Sequence, residues 1–115
     1  MSEHSWNPFS DFPPIHPNDL TVSEVAIIKF RTLEMLKIDN EVVIEQRIVK
    51  PPSISNSPPL LEILARSIYP VYGTTDHFVW RYRAYYLQNP LIDHWMEQVK
   101  LIPEHPISPC CCSNN

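Results

Sequence analysis

Glycine is almost absent from this sequence. One glycine stands against 13 prolines in 115 residues. Few turns can therefore use a positive φ at low cost, which disfavours a protein built from tight β-hairpins. The same poverty removes the glycine-rich loops that cradle phosphate groups. No apolar run is long enough to cross a bilayer as a helix, and the first residues lack the pattern of a secretory signal. Positive charge is not in excess: 9 Lys and Arg face 13 Asp and Glu, for a net charge of −4. That argues against a general polyanion binder and leaves room for a local basic patch. The 3 cysteines are adjacent, so they form no disulfide framework. These features read as a soluble intracellular protein in a reducing compartment.

Catalytic patterns are missing too. His4, His16, His77, His94 and His105 are scattered, and none falls in an HExxH, nucleophile-elbow or P-loop context. The expectation is a protein that is not an enzyme and carries no resident cofactor.

What is present divides into three parts. Residues 1–20 form a proline-rich arm carrying Trp6, Phe9 and Phe12 without helical or alternating periodicity. Aromatics spaced along an extended arm dock onto a neighbouring surface, in the same chain or in another. Residues 21–102 are predicted to form a small helical domain. Thr21 followed by Glu24 is a capping box, and Val25, Ile28, Leu33 and Leu36 lie near one face of the helix it opens. The segment EVVIEQRIV, residues 41–49, is rich in β-branched residues and favours a strand, with continuation as helix left open. Ser57-Pro58 opens a second predicted helix with Leu60, Leu61, Leu64 and Ile68 as its stripe. Thr75-Asp76 opens a third through Asn89, and residues 91–102 make a fourth with Leu91, Ile92, Trp95, Met96 and Val99 inward. The expected fold class is mostly α: a bundle of three or four short helices, with at most one short strand. Residues 103–115 are a proline- and cysteine-containing tail.

Two stretches carry candidate chemistry. In HFVWRYRAYY, Arg81 and Arg83 lie among Trp80, Tyr82, Tyr85 and Tyr86. Phe78, Tyr82 and Tyr85 share a face of the predicted helix and suit its core, arginine interleaved with aromatics suits a protein interface, and as the alternative the stretch suits stacking of bases with phosphate contacts, through Trp80, Arg81, Arg83 and Tyr85. The other stretch is Cys110, Cys111 and Cys112 behind Pro109. Zinc needs thiolates that surround the ion, and adjacent residues reach one ion poorly. Cys110 and Cys112 with His105 make a zinc site only if ligands are shared between chains. Acylation, giving a membrane-associated adaptor, and intermolecular disulfides are the other uses open to the triplet.

The ends of the chain together resemble the geminivirus pre-coat protein family. Trp6-Asn7-Pro8-Phe9 followed by Phe12-Pro13 is similar to the family's Trp-Asp-Pro-Leu and Phe-Pro opening. Leu60-Leu61 through Arg66, then Arg81-Tyr82, match its central pieces, and Pro106-Ile107 with Pro109-Cys110-Cys111-Cys112 match its end. The chain departs where NDLTVSEVAIIKF replaces a HGFRCMLA-like segment, and where Ser113-Asn114-Asn115 replaces further Cys and His. As a divergent member, it is expected to suppress host RNA silencing by binding a host silencing-pathway protein, and to assist trafficking of viral coat protein and DNA during movement. The resemblance implies self-association, with partners that include the coat protein, and a location in the host cytoplasm and perinuclear region with some nuclear protein. It assigns the cysteine motif to suppression. Trp6, Phe12, Arg81, Tyr82 and the three cysteines are the expected partner-binding residues.

Overall fold

The structure, a computed structural model, describes residues 6–52 and 57–103. One helix, α1 (Val22–Lys37), is followed by four strands: β1 (Glu41–Val49), β2 (Leu60–Ser67), β3 (His77–Tyr86) and β4 (Met96–Pro103). The strands form one antiparallel meander in the order β1-β2-β3-β4.

The expected helical bundle is therefore wrong, and the reason lies in strand periodicity. In β3, Phe78, Trp80, Tyr82 and Ala84 lie in one core layer while Tyr85 lies in the other. Alternation at period 2 is the mark of a strand. Strand β2 hides that mark because both its faces are covered: Leu60 and Leu64 serve one layer, Leu61, Ile63 and Ala65 the other. Its near-continuous apolar run imitates a helical stripe. Ser57-Pro58 and Thr75-Asp76 cap no helix and lie in the connections that lead into β2 and β3, because the same side-chain chemistry serves caps and loops. Met96–Pro103, expected as the end of a fourth helix, is edge strand β4. Residues 41–49 are a strand, and their partner is β2 of the same chain. A bulge between Val43 and Glu45 shifts their register by one residue.

Helix α1 forms where expected. Thr21 Oγ1 accepts from the Glu24 amide at 3.1 Å and Glu24 Oε1 accepts from the Thr21 amide at 2.9 Å, closing the capping box. Asn40, at φ 54, turns the chain out of the helix into β1. The buried face is not the expected one, however. Ile27, Arg31 and Met35 point inward, while Val25, Leu33 and Leu36 are exposed. Both sides of this helix carry apolar residues, so the spacing alone did not choose between them.

Two core layers sandwich the sheet. On one side α1 lays Ile27 and Met35 against Leu61, Ile63, Ala65, Tyr85 and Leu87. On the other, Trp6, Phe9 and Phe12 of the arm pack on a layer containing Leu60, Leu64, Phe78, Trp80 and Tyr82. The arm is tied to the β1 edge as well: the Ile15 amide donates to the Ile48 carbonyl at 2.8 Å and the Lys50 amide to the Pro13 carbonyl at 2.9 Å. The lone glycine, Gly73 at φ 87, turns the chain between β2 and β3.

The two helix faces make a direct test. Met35 is 1 % exposed, so Met35→Ala should cost about 2–4 kcal/mol through the cavity it leaves. Leu33→Ser on the outer side should change stability by no more than about 0.5 kcal/mol. Urea denaturation of both variants checks the assignment, and equal losses would overturn it.

Candidate functional site

The interleaving of arginine and aromatic residues in β3 is resolved by the pleat. Trp80 and Tyr82 point to the arm side and are buried. Arg81, Arg83 and Tyr85 are one residue out of step and lie on the helix side. Trp80 is thus separated from Arg81, Arg83 and Tyr85 by the thickness of the sheet, and no single surface presents all four together.

The arginines are held by acids. Arg81 Nε donates to Glu41 Oε2 at 3.0 Å, and Arg83 Nη1 donates to Glu41 Oε1 at 2.7 Å. One carboxylate at the start of β1 is thus gripped by two guanidinium groups from β3. Glu97, opposite Arg83 on β4, pairs with Arg81 and lies 3.7 Å from Arg83 Nε. Asp39 approaches Arg83 Nη2 at 3.4 Å, and His94 approaches Glu97 at 3.4 Å. Glu41 and Arg83 are both buried. For Arg81, burial acts to lower the pKa, and hydrogen bonds to Glu97 and Glu41 outweigh it, so the group is held above its ordinary value. The hydrogen bond from Arg81 holds the Glu97 carboxyl below the usual carboxylate range, against the opposing effect of burial. The network joins β1, β3 and β4 beyond the end of α1.

On the arm side the notable group is Glu62, which is 0 % exposed. Its Oε2 accepts from the Tyr82 hydroxyl at 2.6 Å and from the Ser10 amide of the arm at 3.0 Å, and its Oε1 has no hydrogen-bond partner among the described residues. Burial, reinforced by the hydrogen bond to Glu62, raises the pKa of Tyr82. Arg47 lies 4.3 Å above the Phe9 ring and Lys100 5.6 Å from the Trp6 ring, so cations clasp the arm at two points. Tyr85, on the opposite side, lies under the Arg31 guanidinium at 4.2 Å. Burial pushes its hydroxyl up to about 12.

The placement of the predicted partner-binding residues follows. Trp6, Phe12 and Tyr82 meet on the arm side, inside the molecule's own packing. Arg81 lies on the other side. Cys110, Cys111, Cys112 and His105 lie outside the described residues. Among the described residues no group of three or more His, Cys, Asp or Glu is arranged to hold a metal ion. Sequence reasoning missed two surfaces. One is the outer side of α1; the other is the free edge of β4, where Val99 and Leu101 are exposed on the helix side beyond the reach of α1. Alternation over Gln98-Val99-Lys100-Leu101 was the available signal.

Two outcomes test the acid–arginine network. Arg83→Ala should destabilise the chain by about 2–3 kcal/mol, because Glu41 keeps Arg81 but loses one charged partner in a buried site. Urea denaturation measures it, and a neutral result would show that Glu41 rehydrates. The depressed Glu97 stabilises the fold when ionised. That contribution is complete above the unfolded value of about 4.3 and is lost as pH falls through the lower folded value. Glu97→Gln should therefore lower stability at neutral pH by about 1 kcal/mol or less and flatten the loss that sets in as pH falls below the unfolded value of about 4.3, read from thermal melts.

Compared as a whole, the chain matches no protein-family model, no curated protein and no solved structure.

Proposed function

We propose that this protein is a plant-virus accessory protein that suppresses host RNA silencing by binding a protein of the silencing pathway, with a further role in coat-protein and viral DNA trafficking. The order of the Trp-Asn-Pro, Phe-Pro, Arg-Tyr and Pro-Cys-Cys-Cys pieces supports the family reading. The observation that carries protein binding is the β4 edge. Strand β4 is the last in the sheet, its outer edge pairs with no other strand among the described residues, and Val99 and Leu101 are exposed beside it. An extended partner segment adds to such an edge through main-chain hydrogen bonds, and the exposed apolar side chains select it. The cysteine tail follows directly on this strand, so edge and tail form one continuous stretch of chain for a single partner.

Nucleic-acid binding through β3 finds less support. Arg81 and Arg83 make ion pairs with Glu41 and Glu97, and each phosphate contact would have to compete with those carboxylates.

The test is a silencing reporter in leaf tissue, at matched protein levels, with three chains: wild type, Val99→Asp/Leu101→Asp, and Cys110→Ser/Cys111→Ser/Cys112→Ser. The wild type is expected to suppress, and both variants to lose most of the effect. Suppression unchanged in the β4 variant would remove the edge as the binding surface. A wild type without suppression would remove the function.

A further inference from the structure

The helix side of the sheet is only half covered. Helix α1 rests on β1, β2 and the Tyr85 end of β3. Beyond it Val79 is half-buried, and Val99 and Leu101 of β4 are 51 % and 57 % exposed. Leu101 stands opposite Val79, and Val99 opposite Arg81. Glu97 lies two residues before Val99 and so falls on the same side of the strand. The β4 edge therefore presents one ordered row on this side: carboxylate, valine, leucine. Its neighbours leave part of the carboxylate open. Glu97 Oε2 takes Arg81 and lies 3.7 Å from Arg83 Nε. Oε1 meets His94 Nε2 at 3.4 Å, longer than a good hydrogen bond, and the side chain is 27 % exposed. Acid is also in excess around it. Among the described residues the ion pairs of this group join Arg81 and Arg83 to Glu41, Glu97 and Asp39. With His94 neutral, the group keeps one negative charge over.

We infer that the β4 edge selects an extended partner segment with two apolar residues at alternate positions and a lysine or arginine two residues after the second. The segment adds antiparallel, with its apolar residues opposite Leu101 and Val99 and its cation opposite Glu97. This rests on the proposal that the edge binds the partner, and it names what the partner carries. Antiparallel addition continues the pattern of the strand pairs from β1 to β4 and is the more stable per residue. Residues directly opposite stand about 4.5–5.5 Å apart at Cβ, within reach of apolar contact and of an ion pair, while like charges so placed repel. Lys100 takes no part, because it lies on the other face near Trp6. For the same reason a second copy of β4 does not fit the row. In a sheet continued through this edge, the second Lys100 stays on the arm face and never comes opposite Glu97. The segment selected here belongs to a different protein.

The probes are three capped heptapeptides, titrated into the full chain under reducing conditions at low ionic strength, with backbone amide NMR as the readout. The first is Thr-Val-Thr-Val-Thr-Lys-Thr, the second has glutamate in place of the lysine, and the third has the reversed order Thr-Lys-Thr-Val-Thr-Val-Thr. The first should shift the amides of Gln98, Val99, Lys100 and Leu101 and bind about five- to tenfold more tightly than the second, the difference between one attractive and one repulsive contact. The third carries the same charge as the first, so its weaker binding separates placement from general attraction to a chain of net charge −4. Glu97→Gln, with its fold checked by circular dichroism, should bring the lysine and glutamate peptides to within about twofold of each other. The comparison on the wild-type chain holds whether or not that variant folds. If no peptide shifts the β4 amides, the edge is not a binding surface and the inference falls with it. If the lysine and glutamate peptides bind β4 equally, the edge stands and selection by charge is overturned. Binding of the reversed peptide as tight as the first overturns the antiparallel placement, and a preference that survives Glu97→Gln removes Glu97 from the selection.

Discussion

Strand β2 has no solvent face, and the rest of the molecule is arranged to satisfy that condition. Leu60 through Ala65 are all buried, alternately toward α1 and toward the arm. A four-stranded sheet with one covered face is a common solution for a small domain. This chain needs a cover on both, and among the described residues one α-helix is there to give it. The arm supplies the other with three aromatic residues and almost no regular structure of its own. Each large apolar side chain so buried contributes about 1.5–3 kcal/mol before conformational entropy is counted. The arm is therefore part of the core, which fits a chain of 115 residues with little interior to spare.

The polar groups inside this sandwich are arranged by side. On the helix side, charge meets charge: two arginines from β3 converge on Glu41, and Glu97 closes the group from β4. These pairs set which strands neighbour one another more than they add to net stability, because desolvation offsets much of the attraction. On the arm side the buried carboxylate of Glu62 accepts from neutral donors, a tyrosine hydroxyl and a backbone amide. A neutral or charged group in such a place must be hydrogen-bonded, and the Ser10 amide meets that requirement only when the arm lies in its register. Glu62 thus fixes where the arm sits, and Trp6, Phe9 and Phe12 fix how tightly.

How much of this was legible in the residues depended on whether one pattern had one meaning. Thr21 and Glu24 form a reciprocal cap that few other arrangements produce, and the helix they predict is present. The β-branched run from Val42 to Val49 favoured the strand it forms but left continuation as helix open, because nothing local supplied the partner strand. Leu60-Leu61-Glu62-Ile63-Leu64 was ambiguous, since burial on both faces erases the alternation that separates strand from helix. HFVWRYRAYY did alternate, with Phe78, Trp80 and Tyr82 on one side and Arg81 and Arg83 on the other, but the cap-like Thr75-Asp76 and the scarcity of glycine argued for helix. Glycine scarcity excluded too much here: wider connections joined the strands, with Gly73 and Asn40 as the residues at positive φ among the described residues. The arm's docking was among the expectations, its exact surface was not, because nothing in Trp6 or Phe12 names the strands they meet. Glu97 and Glu41 as partners of the arginines depended on strand register, which no local pattern encodes.

One consequence of the arm concerns the order in which the fold can be assembled. Its aromatic residues are among the earliest made, and their seat is among the latest: Ser10 reaches Glu62, Phe9 packs on Tyr82, and Trp6 lies near Lys100. The contacts that seal this side are therefore the most distant in sequence, and closing so long a loop is slow relative to local pairing. During synthesis β1, β2 and β3 can pair in turn as each emerges, while Phe78, Trp80 and Tyr82 stay uncovered until the arm returns. The meander is the part of the fold that can form early, and Trp6, Phe9 and Phe12 are the last to find their place.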